Sequence, residues 1–184
     1  MKGLVKKVLK QNPKGFVAAI GCYAQLNPEE ISNIKGVDLV VGSENKFNLL
    51  NELDRLDLNG RSKVVRSNIK ETSSFIPSYS IGDRTRSYLK IQDGCDYVCS
   101  FCTIPLARGK SRSDSIKKTI DLANQAINEG AKELVLTGVN IGDFGKQTNE
   151  SFFDLIKELD DLDVHRLRIS CLLYTSPSPR DATL

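Results

Sequence analysis

The sequence lacks any long apolar run. Its apolar stretches fall well short of the roughly 18 residues that a membrane-spanning helix needs, and no charged start followed by an apolar stretch and a small-residue cleavage site marks a secretory signal. These absences predict a cytoplasmic protein with no membrane partner. In a reducing compartment, clustered cysteines are more often metal ligands or catalytic thiols than disulfides.

Histidine is nearly absent as well, because the chain contains only one, His165. Structural zinc sites usually take four protein ligands, commonly as two close pairs of cysteine or histidine. With a single histidine far along the chain and no fourth cysteine near the other three, the sequence fits a structural zinc site poorly.

A strong net charge is also missing, since the formal charge is +3, but the charge is unevenly distributed. Residues 54–90 carry eight Lys and Arg against four Asp and Glu, and further basic residues follow at Arg108, Lys110, Arg112, Lys117 and Lys118. Such a surface suits a polyanion such as RNA. It also suits ordinary solvated charge, and the sequence leaves both interpretations open.

The first 55 residues predict an α/β arrangement. Residues 2–11 have helical apolar spacing, "GFVAAIG" and "VDLVVGS" are typical of short buried strands, and "NPEEI" and "ENKFNLLNELDRL" predict helices. The order α-β-α-β-α favours parallel strands with helical crossovers. We therefore expect residues 1–55 to form an α/β domain with parallel strands.

The rest of the chain predicts a linker and a second α/β region. Residues 56–85 lose periodicity, whereas residues 86–170 alternate strand, cysteine loop, helix, strand, glycine-containing loop, helix and strand. Three strands cannot close a barrel, so we expect the first β/α units of a partial (β/α) barrel. The Ser- and Pro-rich tail, residues 171–184, is predicted to be non-native, and Cys171 to be incidental.

Three cysteines share one loop, in "DGCDYVCSFCTIPLARGKSRS". Cys95, Cys99 and Cys102 follow the spacing Cys-x3-Cys-x2-Cys, with no fourth ligand nearby in the sequence. Soft thiolates suit iron–sulfur clusters, and a cubane with three protein ligands leaves one iron open to a small molecule. Zinc binding and purely structural thiols remain the alternatives.

This loop resembles the signature of the radical S-adenosylmethionine (SAM) superfamily, including an aromatic residue, Phe101, before the last cysteine. Together with "IGCYAQLNPEEI" and "ELVLTGVNIGDFG", it resembles the methylthiotransferase family, and within it the enzymes that act on threonylcarbamoyladenosine in tRNA. The resemblance covers roughly residues 1–170. It implies that residues 1–55 are an incomplete amino-terminal α/β domain of the family and that the second α/β region, residues 86–170, is the first part of a radical SAM barrel.

The resemblance also implies a set of site residues. Members of the family carry one 4Fe-4S cluster that binds SAM and donates the electron for its cleavage, and a second, auxiliary 4Fe-4S cluster. The matching positions are Cys95, Cys99 and Cys102 for the first cluster, Phe101, Thr137, Gly138 and Asn140 for SAM, and Cys22 for the auxiliary cluster.

The reaction that the resemblance implies is insertion of a methylthio group at C2 of N6-threonylcarbamoyladenosine 37, next to the anticodon of tRNA, with an electron donor such as flavodoxin or ferredoxin. Two auxiliary ligands, the rest of the barrel and an RNA-binding domain would lie outside these 184 residues, so we expect a fragment that is inactive alone. Two alternatives stay open: a sister family that methylthiolates a ribosomal-protein aspartate, and a non-catalytic zinc or RNA-binding module.

Overall fold

The computed structural model describes residues 1–54, 62–80 and 85–172. The chain divides into two compact units. Unit 1 comprises Met1–Thr72 and Val98–Gly109, and unit 2 comprises Ser73–Tyr97 and the residues from Lys110 onward. The cysteine loop therefore contributes residues to both units.

Unit 1 contains a parallel three-stranded sheet. Its strands are β1 (Ala18–Ile20), β2 (Leu39–Val41) and β3 (Lys63–Val65), in that order, and both pairings are parallel. All three residues of the central strand β2 are completely buried. The predicted parallel arrangement is confirmed.

Unit 1 also contains helices. They are α1 (Lys2–Gln11), α2 (Cys22–Leu26), α3 (Pro28–Ser32), α4 (Leu49–Asp54, preceded by a 3-10 turn) and α5 (Ile104–Arg108). Pro28 occupies the first turn of α3, as predicted, because its missing N–H needs no partner there. Helix α1 buries Val5 in a small core with side chains such as Ile31 and Val40.

Unit 2 contains a mixed four-stranded sheet in the order β4 (Ser78–Tyr79), β5 (Arg86–Lys90), β8 (Glu133–Thr137), β9 (Arg166–Ile169). The β5–β8 and β8–β9 pairings are parallel, and β4 is antiparallel to β5. A separate antiparallel pair, β6 (Gln92–Asp93) with β7 (Arg112–Ser113), lies at the base of the cysteine loop.

Two capped helices connect the parallel strands of unit 2. Helix α6 (Ile116–Asn128) begins after Ser115, whose side chain accepts a hydrogen bond from Lys118 N, and α7 (Phe152–Asp160) begins after Ser151, which caps Asp154 N in the same way. These helices and the sheet enclose a core that includes Leu89, Leu134, Leu136, Phe144, Leu155 and Leu159. The predicted order of strands and helices is confirmed.

Strands β3 and β4 lie inside the segment 56–85 that the sequence predicts as a linker, and its residues 56–61 and 81–84 lie outside the described residues. Strands of two or three residues are too short to show a period of two. Within the described residues the sheet of unit 2 is open and no closed barrel forms, so the radical SAM barrel stays a prediction.

Of the predicted non-native tail, only Cys171 and Leu172 lie within the described residues. Cys171 O accepts a hydrogen bond from Ile141 N, and Leu172 packs against the core of unit 2.

Candidate active site

The cysteine loop begins at Gly94, directly after β6. Gly94 has a φ of +74°, and a Cβ at this position would collide with the carbonyl oxygen of Lys110. Only glycine tolerates both the left-handed backbone and the close approach. The segments that enter and leave the loop therefore run side by side at its base, where β6 pairs with β7.

A buried group of charges holds this base. Asp93 Oδ1 accepts a hydrogen bond from Gly94 N, while its Oδ2 lies 2.8 Å from Lys90 Nζ and 3.4 Å from Arg112 Nη2. Arg112 is 7% exposed and also donates to the carbonyl oxygens of Ser74 and Lys110. Of the basic loop residues, Arg112 therefore holds the base of the loop.

The three loop cysteines differ in exposure. Cys95 is buried, Cys102 is half-buried and Cys99 is exposed, and all three are free thiols. The backbone N–H of Cys102 donates to the carbonyl oxygen of Cys99, 3.0 Å away, which forms a turn between them. Three free thiols on one loop are the kind of donor set that iron–sulfur clusters use.

The three thiols are not gathered into a metal site among the described residues. Among the described residues, no three His, Cys, Asp or Glu side chains are gathered in a geometry that could hold a metal ion. Cys95 belongs to unit 2, whereas Cys99 and Cys102 belong to unit 1. The donor chemistry thus fits a cluster, but the described residues do not form an assembled site.

The middle of the loop exposes apolar side chains. Val98 is 93% exposed and Phe101 is 89% exposed. Burying such side chains would be favourable, so they are available to pack against a ligand or a partner. The expected position of Phe101 beside the SAM adenine stays a prediction.

The loop that follows β8 is buried instead. Thr137 ends the strand and its Oγ1 donates to Leu89 O, and Asn140 is only 4% exposed. A Cβ on Gly138 would lie 2.8 Å from Ile141 Cγ2 and 2.9 Å from Gln92 Oε1, so no side chain fits there. Three of the four predicted SAM-contacting residues, Thr137, Gly138 and Asn140, lie together at the carboxyl end of a parallel strand, where α/β folds bind ligands. The fourth, Phe101, belongs to unit 1.

An ion pair follows this loop. Asp143 Oδ1 lies 2.8 Å from Lys146 Nζ, and this hydrogen bond raises the pKa of Lys146 against the opposing effect of burial. The charges of Tyr97 and Asp96, from the cysteine loop, raise that pKa further. Lys146 also lies over the ring of Tyr97, 5.5 Å from its centre. Charges on the two loops therefore interact within unit 2.

Gln92 is the site residue that the sequence does not reveal. Its side chain is fully buried and hydrogen-bonds to both loops. A glutamine beside Ile91 in a two-residue strand has no distinguishing periodicity, and only its place directly before "DGC" could have drawn attention to it.

Cys22 lies in unit 1, at the first position of α2, directly after Gly21, whose φ is +108°. It is a free, half-buried thiol. Helix α2 packs against α5, and a cleft of about 530 Å³ in unit 1 is lined by Gln25, Leu26, Arg66, Ser67, Asn68, Ile69, Lys70, Pro105 and Leu106.

Comparison with curated proteins finds relatives that are named as methylthiotransferases. The chain is 39% identical over 177 residues to a threonylcarbamoyladenosine tRNA methylthiotransferase, MtaB, of Bacillus subtilis, a match that covers 92% of the chain and 39% of the relative. The chain is a homologue of the methylthiotransferases. It spans about two fifths of the length of the curated relatives it matches. No protein-family model matches the chain.

Other methylthiotransferases match over a similar extent. A tRNA-2-methylthio-N(6)-dimethylallyladenosine synthase of Pelagibacter ubique is 30% identical over 190 residues, covering 98% of the chain and 41% of the relative. The ribosomal protein uS12 methylthiotransferase RimO of Prochlorococcus marinus is 31% identical over 169 residues, covering 88% of the chain and 38% of the relative.

None of the helices among the described residues is both long and apolar enough to span a membrane.

Proposed function

We propose that this chain is part of a radical SAM methylthiotransferase that inserts a methylthio group at C2 of N6-threonylcarbamoyladenosine 37 of tRNA. The observation that carries the proposal is the 39% identity, over 92% of the chain, to a relative named for that tRNA nucleoside. The match to a ribosomal-protein methylthiotransferase is lower in identity, at 31%, which favours threonylcarbamoyladenosine as the substrate.

Cys95, Cys99 and Cys102 would hold the SAM-binding 4Fe-4S cluster through their three thiolates. Their free state and their place on one loop support this role. With SAM bound, such a cluster would supply one-electron chemistry, which an adenine C–H bond requires because it carries no acidic proton. The buried base at Asp93 and Arg112 would hold the loop ends in place.

Thr137, Gly138 and Asn140 would contact SAM at the end of β8, and Phe101 would cover its adenine. Their place at the carboxyl end of a parallel strand, where α/β folds bind ligands, supports this role for the three residues after β8. Cys22 would be one ligand of an auxiliary 4Fe-4S cluster, completed by residues outside this chain.

The same proposal extends to partners and organisation. The substrate would be tRNA and the reaction would take place in the cytoplasm. The electron that cleaves SAM would come from a donor such as flavodoxin or ferredoxin. Arg66 and Lys70 in the cleft of unit 1 offer positive charge to a phosphate backbone. We keep the organisation into residues 1–55, a linker 56–85 and residues 86–170 of a radical SAM barrel as part of the proposal.

A chimera tests the substrate. Residues 1–170 of this chain replace the matching segment of the Bacillus subtilis relative, and the chimera is expressed in a strain that lacks that relative. We expect 2-methylthio-N6-threonylcarbamoyladenosine in the digested tRNA by mass spectrometry. The same chimera with Cys95, Cys99 and Cys102 changed to alanine should produce none.

The iron content of the purified chimera is measured alongside. An iron-loaded chimera that leaves tRNA unmodified but methylthiolates ribosomal protein uS12 would instead support the second candidate, for which the Prochlorococcus relative is the supporting observation. Stoichiometric zinc with neither product would support a binding module.

A further inference from the structure

The side chain of Gln92 joins three segments of unit 2. It is completely buried at the start of β6, three residues before Cys95. Its Nε2 donates to Gly94 O at 2.7 Å, to Ser111 Oγ at 2.9 Å and, more weakly, to Asp93 O at 3.1 Å. These partners lie at the entrance and the exit of the cysteine loop.

The oxygen of the same amide serves the other loop. Gln92 Oε1 accepts hydrogen bonds from Val139 N at 2.8 Å and from Asn140 N at 2.9 Å. A carbonyl oxygen has two lone pairs, so both are occupied. Rotating the amide by half a turn would point its NH2 at two N–H donors and its oxygen at two acceptors, so the network permits only one orientation.

The main chain explains why this amide is needed. The parallel ladder of β5 and β8 ends at the pair Lys90 and Thr137. One more bond, from Ile91 N to Thr137 O, follows. Beyond it, the amide of Gln92 provides the connection that backbone pairing no longer makes, and Gly138 leaves room for it because a Cβ there would lie 2.9 Å from Gln92 Oε1.

We propose that Gln92 is a positioning residue that holds the base of the cysteine loop and the Gly138–Asn140 loop at a fixed spacing. The inference deepens the proposed function and rests on it for its consequence: Cys95 would carry a cluster thiolate and Asn140 would contact SAM. Gln92 touches neither ligand and acts only through the two loops.

The first arm of the test needs no iron. In Gln92→Met, the amides of Val139 and Asn140 lose their acceptor and Gly94 O loses its donor. We expect hydrogen exchange at Val139 and Asn140 to accelerate at least tenfold, and alkylation of the buried Cys95 thiol by N-ethylmaleimide to accelerate at least tenfold. Alkylation of Cys99, which is already exposed, should stay unchanged and serves as the internal control.

Gln92→Glu separates the two ends of the connection. A carboxylate still accepts from Val139 N and Asn140 N but donates nothing to Gly94 O or Ser111. We therefore expect exchange at Val139 and Asn140 to stay within threefold of wild type while Cys95 alkylation still accelerates. Leu155→Ala, a cavity in the core of unit 2, is the control for general destabilisation, and it should not produce this pattern.

The second arm uses the chain reconstituted anaerobically with iron and sulfide. SAM affinity is measured by equilibrium dialysis below the unfolding temperature of every variant. We expect Gln92→Met to bind SAM at least tenfold more weakly than wild type, with iron per chain within a factor of two. Leu155→Ala should bind SAM as wild type does.

Each outcome decides a separate statement. Unchanged exchange and alkylation in Gln92→Met, or equal acceleration in Leu155→Ala, would overturn the positioning role whatever the iron content. Unchanged SAM affinity in an iron-loaded Gln92→Met would overturn its consequence for the ligands. A wild-type chain that takes up no iron would count against the proposed function, while the first arm would still decide the position of the two loops.

Discussion

The loop after β8 and the loop that carries three cysteines differ in what holds them. The first is enclosed by the protein itself: Asn140 is 4% exposed and two backbone amides of that loop are bound by Gln92. The second is anchored at its base, but Val98 and Phe101 are almost fully exposed. Among the described residues, the loop after β8 is thus enclosed by protein, whereas the middle of the cysteine loop is exposed to solvent.

The difference has a physical explanation under the proposed function. Hydrogen bonds and apolar packing can fix the SAM-contacting loop without a ligand, because all of its partners belong to the chain. The thiolates of the cysteine loop would find their partners in iron, which the chain itself cannot replace. In such a site, the loop after β8 is preorganised by the protein, and the cysteine loop would be ordered by its cofactor.

The largest expected difference comes from the same substitution in the two loops. Phe144, next to the enclosed loop, is 2% exposed, whereas Phe101 is 89% exposed. Phe144→Ala should lower the free energy of unfolding by about 3–5 kcal/mol, and Phe101→Ala should change it by less than about 0.5 kcal/mol. Urea denaturation of both variants measures this. Similar losses in the two would mean that the cysteine loop is packed after all.

A smaller difference is expected from adding a methyl group to glycine. In Gly138→Ala, the new Cβ meets Ile141 and Gln92 at under 3 Å, and we expect a loss of about 1–3 kcal/mol in stability. Gly3→Ala places a Cβ in open space within helix α1 and should stabilise the chain by up to about 1 kcal/mol. A tolerated Gly138→Ala, seen as an unchanged melting temperature, would show that the enclosed loop has spare room.

The smallest expected effect concerns the other end of β8. Burial raises the pKa of Glu133, but hydrogen bonds and charge interactions with Arg86 and Arg168 outweigh burial, so its pKa lies below the usual value. A lowered carboxyl pKa stabilises the fold above the unfolded pKa of about 4.3, and this contribution disappears as the pH falls through the folded pKa.

Glu133→Gln should therefore lose less stability than wild type between pH 7 and pH 3. Urea midpoints at the two pH values provide the measurement, and Glu158→Gln, at an exposed position on α7, is the matched control. If wild type and Glu133→Gln lose the same stability on acidification, the ion pairs of Glu133 with Arg86 and Arg168 do not contribute to the pH dependence of stability.

The sequence predicts the regular parts of the fold well. The spacing of apolar residues, Ser115 before α6 and Gly130 after it are sufficient to place that helix to within a few residues. Strands β3 and β4 escape prediction because they are only three and two residues long and lie among Ser, Lys and Arg residues. Their pairing partners determine them: β3 pairs with β2, 24 residues earlier, and β4 pairs with β5, 10 to 12 residues later.

The candidate site divides in the same way. The cysteine spacing and "TGVN" are local signals, and the resemblance built on them agrees with the relatives found. Gln92 and Arg112 are recognisable from contacts made over 19 to 48 residues of sequence separation. No local pattern distinguishes a buried amide or guanidinium of this kind from a solvated one.

The central claim is that Cys95, Cys99 and Cys102 hold an iron–sulfur cluster. Its most direct test is the iron, sulfide and zinc content of the chain after anaerobic reconstitution, with the ultraviolet–visible spectrum, beside a variant in which all three residues are alanine. The proposed function predicts about four irons and four sulfides per chain, absent from the variant. Stoichiometric zinc without an iron chromophore would contradict it.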